Sequence, residues 1–464
     1  MFSRIRLPIV GLAFHLAAGL LVAQDIEQLT ALLESEVPRV LKEEHVPGLS
    51  MVLIRENRIV WKGTFGVRVA GKPEKVDDQT IFEAASMSKP LFAYRVLKLV
   101  EEGRFDLDRP LDEYLEKPYL PDEPLAKKIT ARMVMLHRTG LPNWREGGWR
   151  SGGPLPVLHE PDTRFTYSGE GYLYLQTAVE RLTKQSISGW MEASLLAPVG
   201  MTRSSYEWRD SFNANFAGGH DEKGTFKEGR RFYGKGNAAF SLYTTPTDYA
   251  RFLIEIMRPD RSAEHSLNAE TIKNATTVQL KPEKDNPRSR RSLGWVVDSR
   301  ENGGRVSHSG SNGSGFRCNS RFDIKQQSGS VIMTNSAGGR AAWEKILEII
   351  DSAAEDGAAG EKGPTGKKSP GGEGEKFTAW GSEKRTIRYE YRLMNTTARP
   401  ATGIDVYVPI PLESPRQEIQ YLHLPKLPKH RLFTDEHGQR LAHYTLDRLE
   451  AGQWVDLGYV VGIT

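Results

Sequence analysis

The chain has 464 residues, 38% of them hydrophobic, enough for two or three domains and a large core. Lys and Arg (63) nearly balance Asp and Glu (59), the net charge is +4, and no basic block is interleaved with aromatics, which argues against nucleic acid as a partner. The one cysteine, Cys318, excludes an internal disulfide, and in its strand-like setting before Asn319 and Ser320 it reads as a small packing residue.

Arg4 and Arg6, the apolar run Leu7 to Val22, and the polar onset at Ala23-Gln24-Asp25 read as a signal peptide over 1–23. Export to a bacterial periplasm or medium is the expectation. No cysteine follows the run to carry a lipid. The run contains Pro8 and His15 and is slightly short for a span, so no stable membrane insertion is expected after removal.

From Ile26 to Glu44, apolar residues at Ile26, Leu29, Leu32, Leu33, Val37, Val40 and Leu41 have helical spacing. Leu49 to Ile54 and Ile59 to Phe65 read as strands joined by the polar turn Arg55 to Arg58, a hairpin. Ser86-Met87-Ser88-Lys89 then holds the only Ser in the chain with a Lys three residues later. Positions i and i+3 share a helix face, so Lys89 can reach the hydroxyl of Ser86, and a desolvated lysine amine can serve as its base. The helix continues from Pro90, tolerated in a first turn, to a stop at Gly103.

Residues 103–200 read as mainly helical, with loops marked by proline. Strand character returns at Leu293 to Val297, Arg317 to Ile324 and Gly329 to Thr334, and Ala341 to Ala354 closes as a helix. Strands from both ends flanking a helical middle predict an α/β (α+β) fold, an antiparallel sheet flanked by helices plus a helical lobe, over 24–354. Residues 355–376 have no apolar periodicity and read as a disordered Gly/Lys/Glu/Pro linker, reaching roughly 25 Å as a flexible coil. Beyond it, alternation at Ile387, Tyr389, Tyr391 and Leu393, and again at Ile404, Val406 and Val408, predicts a small all-β sandwich over 385–464.

Four segments stand in order: Ser86-Met87-Ser88-Lys89; Leu136-His137-Arg138-Thr139-Gly140-Leu141-Pro142; Pro161-Asp162-Thr163-Arg164-Phe165-Thr166-Tyr167-Ser168; and Ser307-His308-Ser309-Gly310-Ser311. With them the chain, over roughly residues 28–352, resembles the serine β-lactamase and penicillin-binding-protein superfamily, in its class C β-lactamase-like, esterase and D-peptidase branch. The resemblance implies Ser86 as the acylated nucleophile, Lys89 as its proton-relay partner and Tyr167 as a second catalytic group. A phenol near pKa 10 can act as a base when a cation such as Lys89 stabilises the phenolate. It also implies His308, Ser309 and Gly310 as a substrate-binding edge strand, with the backbone N–H groups of Ser86 and Ser311 as oxyanion hole. Gly310 would keep that strand open to close approach of substrate.

Two positions depart from the superfamily's pattern. Gly169 stands where Tyr-x-Asn would place an asparagine whose amide helps orient the lysine and the substrate carbonyl, and no Tyr-x-Asn occurs in the chain. Ser211-Phe212-Asn213 resembles a variant of that motif. His308 stands where many relatives have lysine. Were it a protonated clamp, binding of carboxylate-bearing substrates would fall as pH rises through about 6.5.

The expectation is an exported serine hydrolase acting through an acyl-enzyme on small esters or D-amino-acid peptides in preference to β-lactams. The alternative is a non-catalytic penicillin-binding or cell-wall-sensing protein using the same pocket. The partner expected is a small-molecule or peptide substrate, with cell-wall fragments among the candidates. No cofactor or metal is expected, because His423, His430, His437 and His443 lack the spacing of a zinc helix.

Overall fold

A computed structural model describes residues 10–229, 232–280, 290–297 and 305–360, and, near the C-terminus, 385–394, 401–409, 419–423, 430–434, 440–450 and 454–463. The chain divides into two compact units, 1–364 and 365–464.

The first unit opens with α1 (Val10–Glu43), followed by β1 (Gly48–Arg55) and β2 (Arg58–Gly66). The turn between these strands is Glu56-Asn57, with φ of 48° and 59°, the left-handed pair that matches a two-residue hairpin to strand twist. Next come β3 (Phe82–Glu83), α2 (Ser88–Glu101), α3 (Ala131–Met135), α4 (Gly169–Thr183) and α5 (Ile187–Met191). Then follow β4 (Tyr243–Thr244), α6 (Pro246–Met257), α7 (Ala269–Thr276), β5 (Arg291–Ser292), β6 (Trp295–Val297), β7 (Val306–Ser311), β8 (Arg317–Asp323), β9 (Ser328–Thr334) and α8 (Gly339–Gly360).

Seven strands form one antiparallel sheet in the order β2-β1-β9-β8-β7-β6-β5. Strand β1 shows why the chain needs two layers of helix. Its side chains alternate, Leu49, Met51 and Leu53 packing with α1 and α8, while Val52 and Ile54 join the larger core of the helical lobe. Helix α1 presents Leu29, Leu33, Val37, Val40 and Leu41, and α8 presents Ala342, Ile346 and Ile350, each at helical spacing. An antiparallel sheet flanked by helices, with a helical lobe, is the architecture expected from sequence.

Helix α8 runs on to Gly360, into the segment read as linker; the remainder of that linker lies outside the described residues. Helix α1 covers part of the expected signal, whose first nine residues also lie outside them. Among the described residues no helix is long and apolar enough to cross a membrane.

The second unit contains β10 (Arg385–Met394), β11 (Ala401–Pro409), β12 (Ile419–His423), β13 (His430–Thr434), β14 (Arg440–Leu449) and β15 (Trp454–Ile463). They form two three-stranded antiparallel sheets, β10-β15-β12 and β11-β14-β13. The alternating runs at Ile387 and Ile404 lie in β10 and β11.

Candidate active site

Ser86 sits in a tight turn between β3 and α2. Ala85, just before it, has φ of 49°, a left-handed conformation that an L-residue holds only when its surroundings fix it. They do so on several sides. Ser88 Oγ donates to Ala85 O at 2.7 Å and accepts from Leu242 N at 2.9 Å. Tyr206 Oη donates to Ser88 O at 2.7 Å, and Tyr249 Oη to Met87 O at 3.1 Å.

Lys89, in the first turn of α2, is 1% exposed. Its Nζ lies 3.4 Å from Ser86 Oγ and donates to Ala239 O at 2.7 Å. That carbonyl is held in place, since Ala239 N donates to Asn237 Oδ1 and Ala238 N to Gln176 Oε1, both at 2.8 Å. Burial lowers the Lys89 pKa, Tyr167 opposes the shift, and nearby Arg291 adds to it.

Tyr167 precedes α4 and donates from Oη to Ser86 Oγ at 2.9 Å. Its ring lies 4.2 Å from that of His137, and Lys89 Nζ is 4.9 Å from its centre. Burial alone would raise the phenol's pKa; Lys89, the hydrogen bond with Ser86, and Arg291 outweigh it, and the net shift is downward. The three residues predicted from sequence thus meet on one oxygen.

At the start of α4, Ser168 caps the helix, its Oγ accepting from Gly171 N at 2.9 Å. A Cβ built on Gly169 would lie 2.3 Å from the Trp144 ring, so the indole occupies the space a side chain there would need. Gly169 N donates to both the backbone O and the Oδ1 of Asn143, each at 3.0 Å. Glu170, fully buried, accepts a fork from Arg145 at 3.1 and 2.8 Å. Ser211-Phe212-Asn213 falls in a 3-10 helix elsewhere, with Asn213 lining a separate aromatic cavity of about 720 Å³.

Strand β7 carries His308, Ser309, Gly310 and Ser311. It pairs with β6 only through Ser307 and Val306, so from His308 onward that side of the strand is an edge. His308, Ser309 and Ser311 line a cavity of about 670 Å³ together with Ser86, Lys89, Tyr167, Asn143 and Arg291. Gly310 lines a neighbouring cavity, and a Cβ there would lie 2.1 Å from Ala84 O, in the turn that carries Ser86.

A protonated His308 clamp is not what this site offers. His308 is buried, and burial, with Arg291 and Lys89 nearby, drives its pKa well below the usual histidine value. Its Nδ1 lies 2.9 Å from Ser309 O, an acceptor only, so Nδ1 carries the proton of a neutral ring. Arg291 lines the cavity as a cation, as do Lys89 and Arg317; Arg291 is the one that stands against Tyr167 and Phe165. It is buried, its guanidinium stands 5.3 and 6.0 Å from the ring centres of Phe165 and Tyr167, and its Nε has no hydrogen-bond partner among the described residues. Among the described residues no acidic side chain pairs with it. A second cavity of about 970 Å³ shares Tyr167, Arg291, Ser309, Ser311 and Arg317 with the first.

Sequence reasoning missed Arg291, which stands in the run Arg288-Ser289-Arg290-Arg291 and resembles a solvated basic stretch; the strand-like Leu293 to Val297 just after it was the available signal. It also treated His137 only as part of a turn. His137 has φ of 56°, accepts from Ser168 N at 3.1 Å through Nδ1, and has its pKa driven well below the usual histidine value by burial, with Arg291 and Lys89 nearby. Cys318 is buried, with its thiol pushed up to about 12 by burial. Among the described residues no cluster of three or more His, Cys, Asp or Glu could hold a metal ion.

The family model described as Beta-lactamase matches residues 22–355. The chain belongs to the Beta-lactamase family. Among the proteins it resembles, Protein flp of Staphylococcus aureus (strain MRSA252) is 23% identical over 222 residues, 45% of this chain and 43% of that protein. Esterase EstB of Burkholderia gladioli is 29% identical over 206 residues, 38% of this chain and 51% of that protein. The chain therefore spans about half the length of the curated relatives it matches. D-alanine carboxypeptidase AmpC from Burkholderia cenocepacia superposes with a TM-score of 0.58 at 19% identity, over 70% of this chain and 99% of that one, a likeness of fold.

Proposed function

We propose that this protein is an exported serine hydrolase that cleaves esters or amides through an acyl-enzyme on Ser86. The observation that carries the reading is the placement of Ser86 Oγ between Tyr167 Oη at 2.9 Å and Lys89 Nζ at 3.4 Å. In the reactive state Tyr167 and Lys89 together lack one proton. The Ser86 proton passes to Tyr167 as Oγ bonds to the substrate carbonyl carbon. The oxyanion is received by the backbone N–H groups of Ser86 and Ser311. Collapse breaks the bond to the leaving group, which takes the proton from Tyr167. Water, deprotonated by Tyr167, then attacks the acyl carbon, the bond from Ser86 Oγ to that carbon breaks, and Oγ takes the proton back from Tyr167 as the acid product leaves. His308, Ser309 and Gly310 form the strand along which the substrate lies.

Small esters or D-amino-acid peptides are favoured over β-lactams. EstB is an esterase and the Burkholderia cenocepacia protein a D-alanine carboxypeptidase by name. The absence of an amide at Gly169 and the neutral His308 remove groups that a dedicated β-lactamase would be expected to use. Export rests on the basic and apolar N-terminal sequence.

The test exposes the mature protein to a fluorophosphonate, a labelled penicillin and a p-nitrophenyl ester, and follows the mass of the Ser86 peptide. Adducts on Ser86, and ester turnover abolished by Ser86→Ala, are expected. No adduct, with turnover unaffected by Ser86→Ala, refutes the proposal. A penicillin adduct that persists without ester turnover favours a penicillin-binding role instead.

A further inference from the structure

At one end of the seven-stranded sheet, three neighbouring segments each bring an arginine to the face covered by α8. In β1 the residues packed toward the helices are Leu49, Met51 and Leu53, so alternation puts Arg55 on that face as well. Leu53 pairs with Ser330 and Ser330 with Arg321, while Val306 pairs with Phe322. That register sets Arg305, just ahead of β7, and Arg321 beside Arg55. Asp351 reaches the same corner from α8.

The charges there do not balance. Asp351 accepts from Arg305 Nη1 at 2.8 Å and takes a fork from Arg321 at 2.9 and 2.8 Å. Arg55 reaches only the carbonyl of its neighbour Ile54, at 3.0 Å, and has no acidic partner among the described residues. Asp323, the other acid at this corner, accepts from Gln326 N at 3.0 Å and makes no ion pair among the described residues. Burial lowers Arg321 to about 10, against the pull of Asp351, and Arg305 and Arg55 add to the fall. Burial lowers Arg55 too, and Arg305 again adds. Three guanidinium groups thus share one carboxylate in a place partly withdrawn from water, where an unmatched charge is costly.

Between these groups lies a cavity of about 170 Å³, lined by Arg55, Arg305, Arg321, Ser330, Asp323 and Asp351. A small oxyanion has room there. Guanidinium forks match the paired oxygens of phosphate or sulfate, and a doubly charged ion answers the excess better than chloride or a monocarboxylate. We propose that this corner binds a tetrahedral oxyanion of the phosphate class, held between Arg55 and the pair Arg305 and Arg321. The bound anion joins the end of β1 to β8 and, through Asp351, to α8. None of the residues lining this cavity lines that of Ser86.

The test follows the thermal midpoint of the full chain in inorganic phosphate, sulfate, acetate and chloride at equal ionic strength. Phosphate and sulfate should each raise it by about 2–4 °C over chloride at saturation, and acetate should not. The rise should level off with concentration, whereas general exclusion of these ions from the protein surface keeps growing. Arg55→Met should abolish the rise and leave ester turnover in chloride unchanged, because Arg55 holds no acid in the fold. Arg55→Lys, which keeps the charge and loses the fork, should move the half-maximal phosphate concentration several-fold higher, and it decides the matter if Arg55→Met does not fold. Equal midpoints in all four salts, acetate as effective as phosphate, a rise that never saturates, or one unchanged by either Arg55 variant overturns the proposal. A rise lost in Arg291→Met but kept in Arg55→Met places the anion in the substrate cavity and overturns it as well.

Discussion

Lys89 and Tyr167 converge on one oxygen: the Lys89 Nζ is 4.9 Å from the phenol ring centre, and both groups contact Ser86 Oγ. Each has its pKa shifted downward, Lys89 first by burial and Tyr167 by Lys89, Ser86 and Arg291 acting against burial. They titrate as a pair, so the apparent value belongs to both. The active form lacks one proton, so kcat/KM for a neutral ester should rise with pH and level off below the ordinary tyrosine value of 10.0. Tyr167→Phe should cost about 10² to 10⁴ in turnover and abolish the rising limb. A pH–rate profile without that limb in the unaltered protein counts against the pair as base.

Arg291 supplies a charge that the position of His308 does not. It is buried against Phe165 and Tyr167, with no acidic partner among the described residues, and it lines both connected cavities. A charged hydrogen bond in such a place contributes about 1.5–3 kcal/mol. Arg291→Met should therefore lower kcat/KM for a carboxylate-bearing ester roughly 10- to 100-fold more than for a neutral one of equal size. Because Arg291 helps lower Tyr167, the same variant should move the rising limb of the neutral ester's profile to higher pH. Equal losses for both esters would remove Arg291 from carboxylate recognition.

What the sequence revealed depended on how local the cause was. The Ser86-to-Lys89 contact follows from helical spacing within four residues, and the β1–β2 hairpin from a turn whose two residues both accept positive φ. Arg291 was hidden because Phe165, from a segment far away in the chain, packs on its guanidinium, a contact that the local pairing of Arg291 with Val296 does not reveal. Position 169 could be read as lacking an amide, but the Trp144 ring that fills its place comes from another loop. The position of His308 was legible; its neutrality was not, since that is set by burial and by cations on β5 and α2.

The two site histidines should make the fold acid-sensitive. His137 and His308 are held neutral in the folded chain, first by burial and then by Arg291 and Lys89, whereas in the unfolded chain each returns to about 6.5. Below that pH the unfolded chain binds more protons than the folded one, so stability present above 6.5 is lost as pH falls, by up to about 1.4 kcal/mol per pH unit for each histidine. The thermal midpoint should be level above pH 7 and decline below 6.5. His308→Gln should reduce the slope of that decline. An unchanged slope would mean that other groups govern it.

Gly310 ties the substrate strand to the nucleophile's turn. A Cβ at this position would lie 2.1 Å from Ala84 O and 3.4 Å from Ala85 Cβ, and since the first is backbone, relief requires β7 or the turn itself to move. The cost of overpacking is about 1–3 kcal/mol, and displacement of a reacting group by about 1 Å can cost roughly 10²-fold in rate. Gly310→Ala should accordingly lower both the thermal midpoint and the rate of Ser86 acylation by a fluorophosphonate. Gly234→Ala is the matched control for stability, since a Cβ there meets nothing within 4 Å. If Gly310→Ala acylates at the rate of the unaltered protein, contact between β7 and the Ala84–Ala85 turn does not set the position of Ser86.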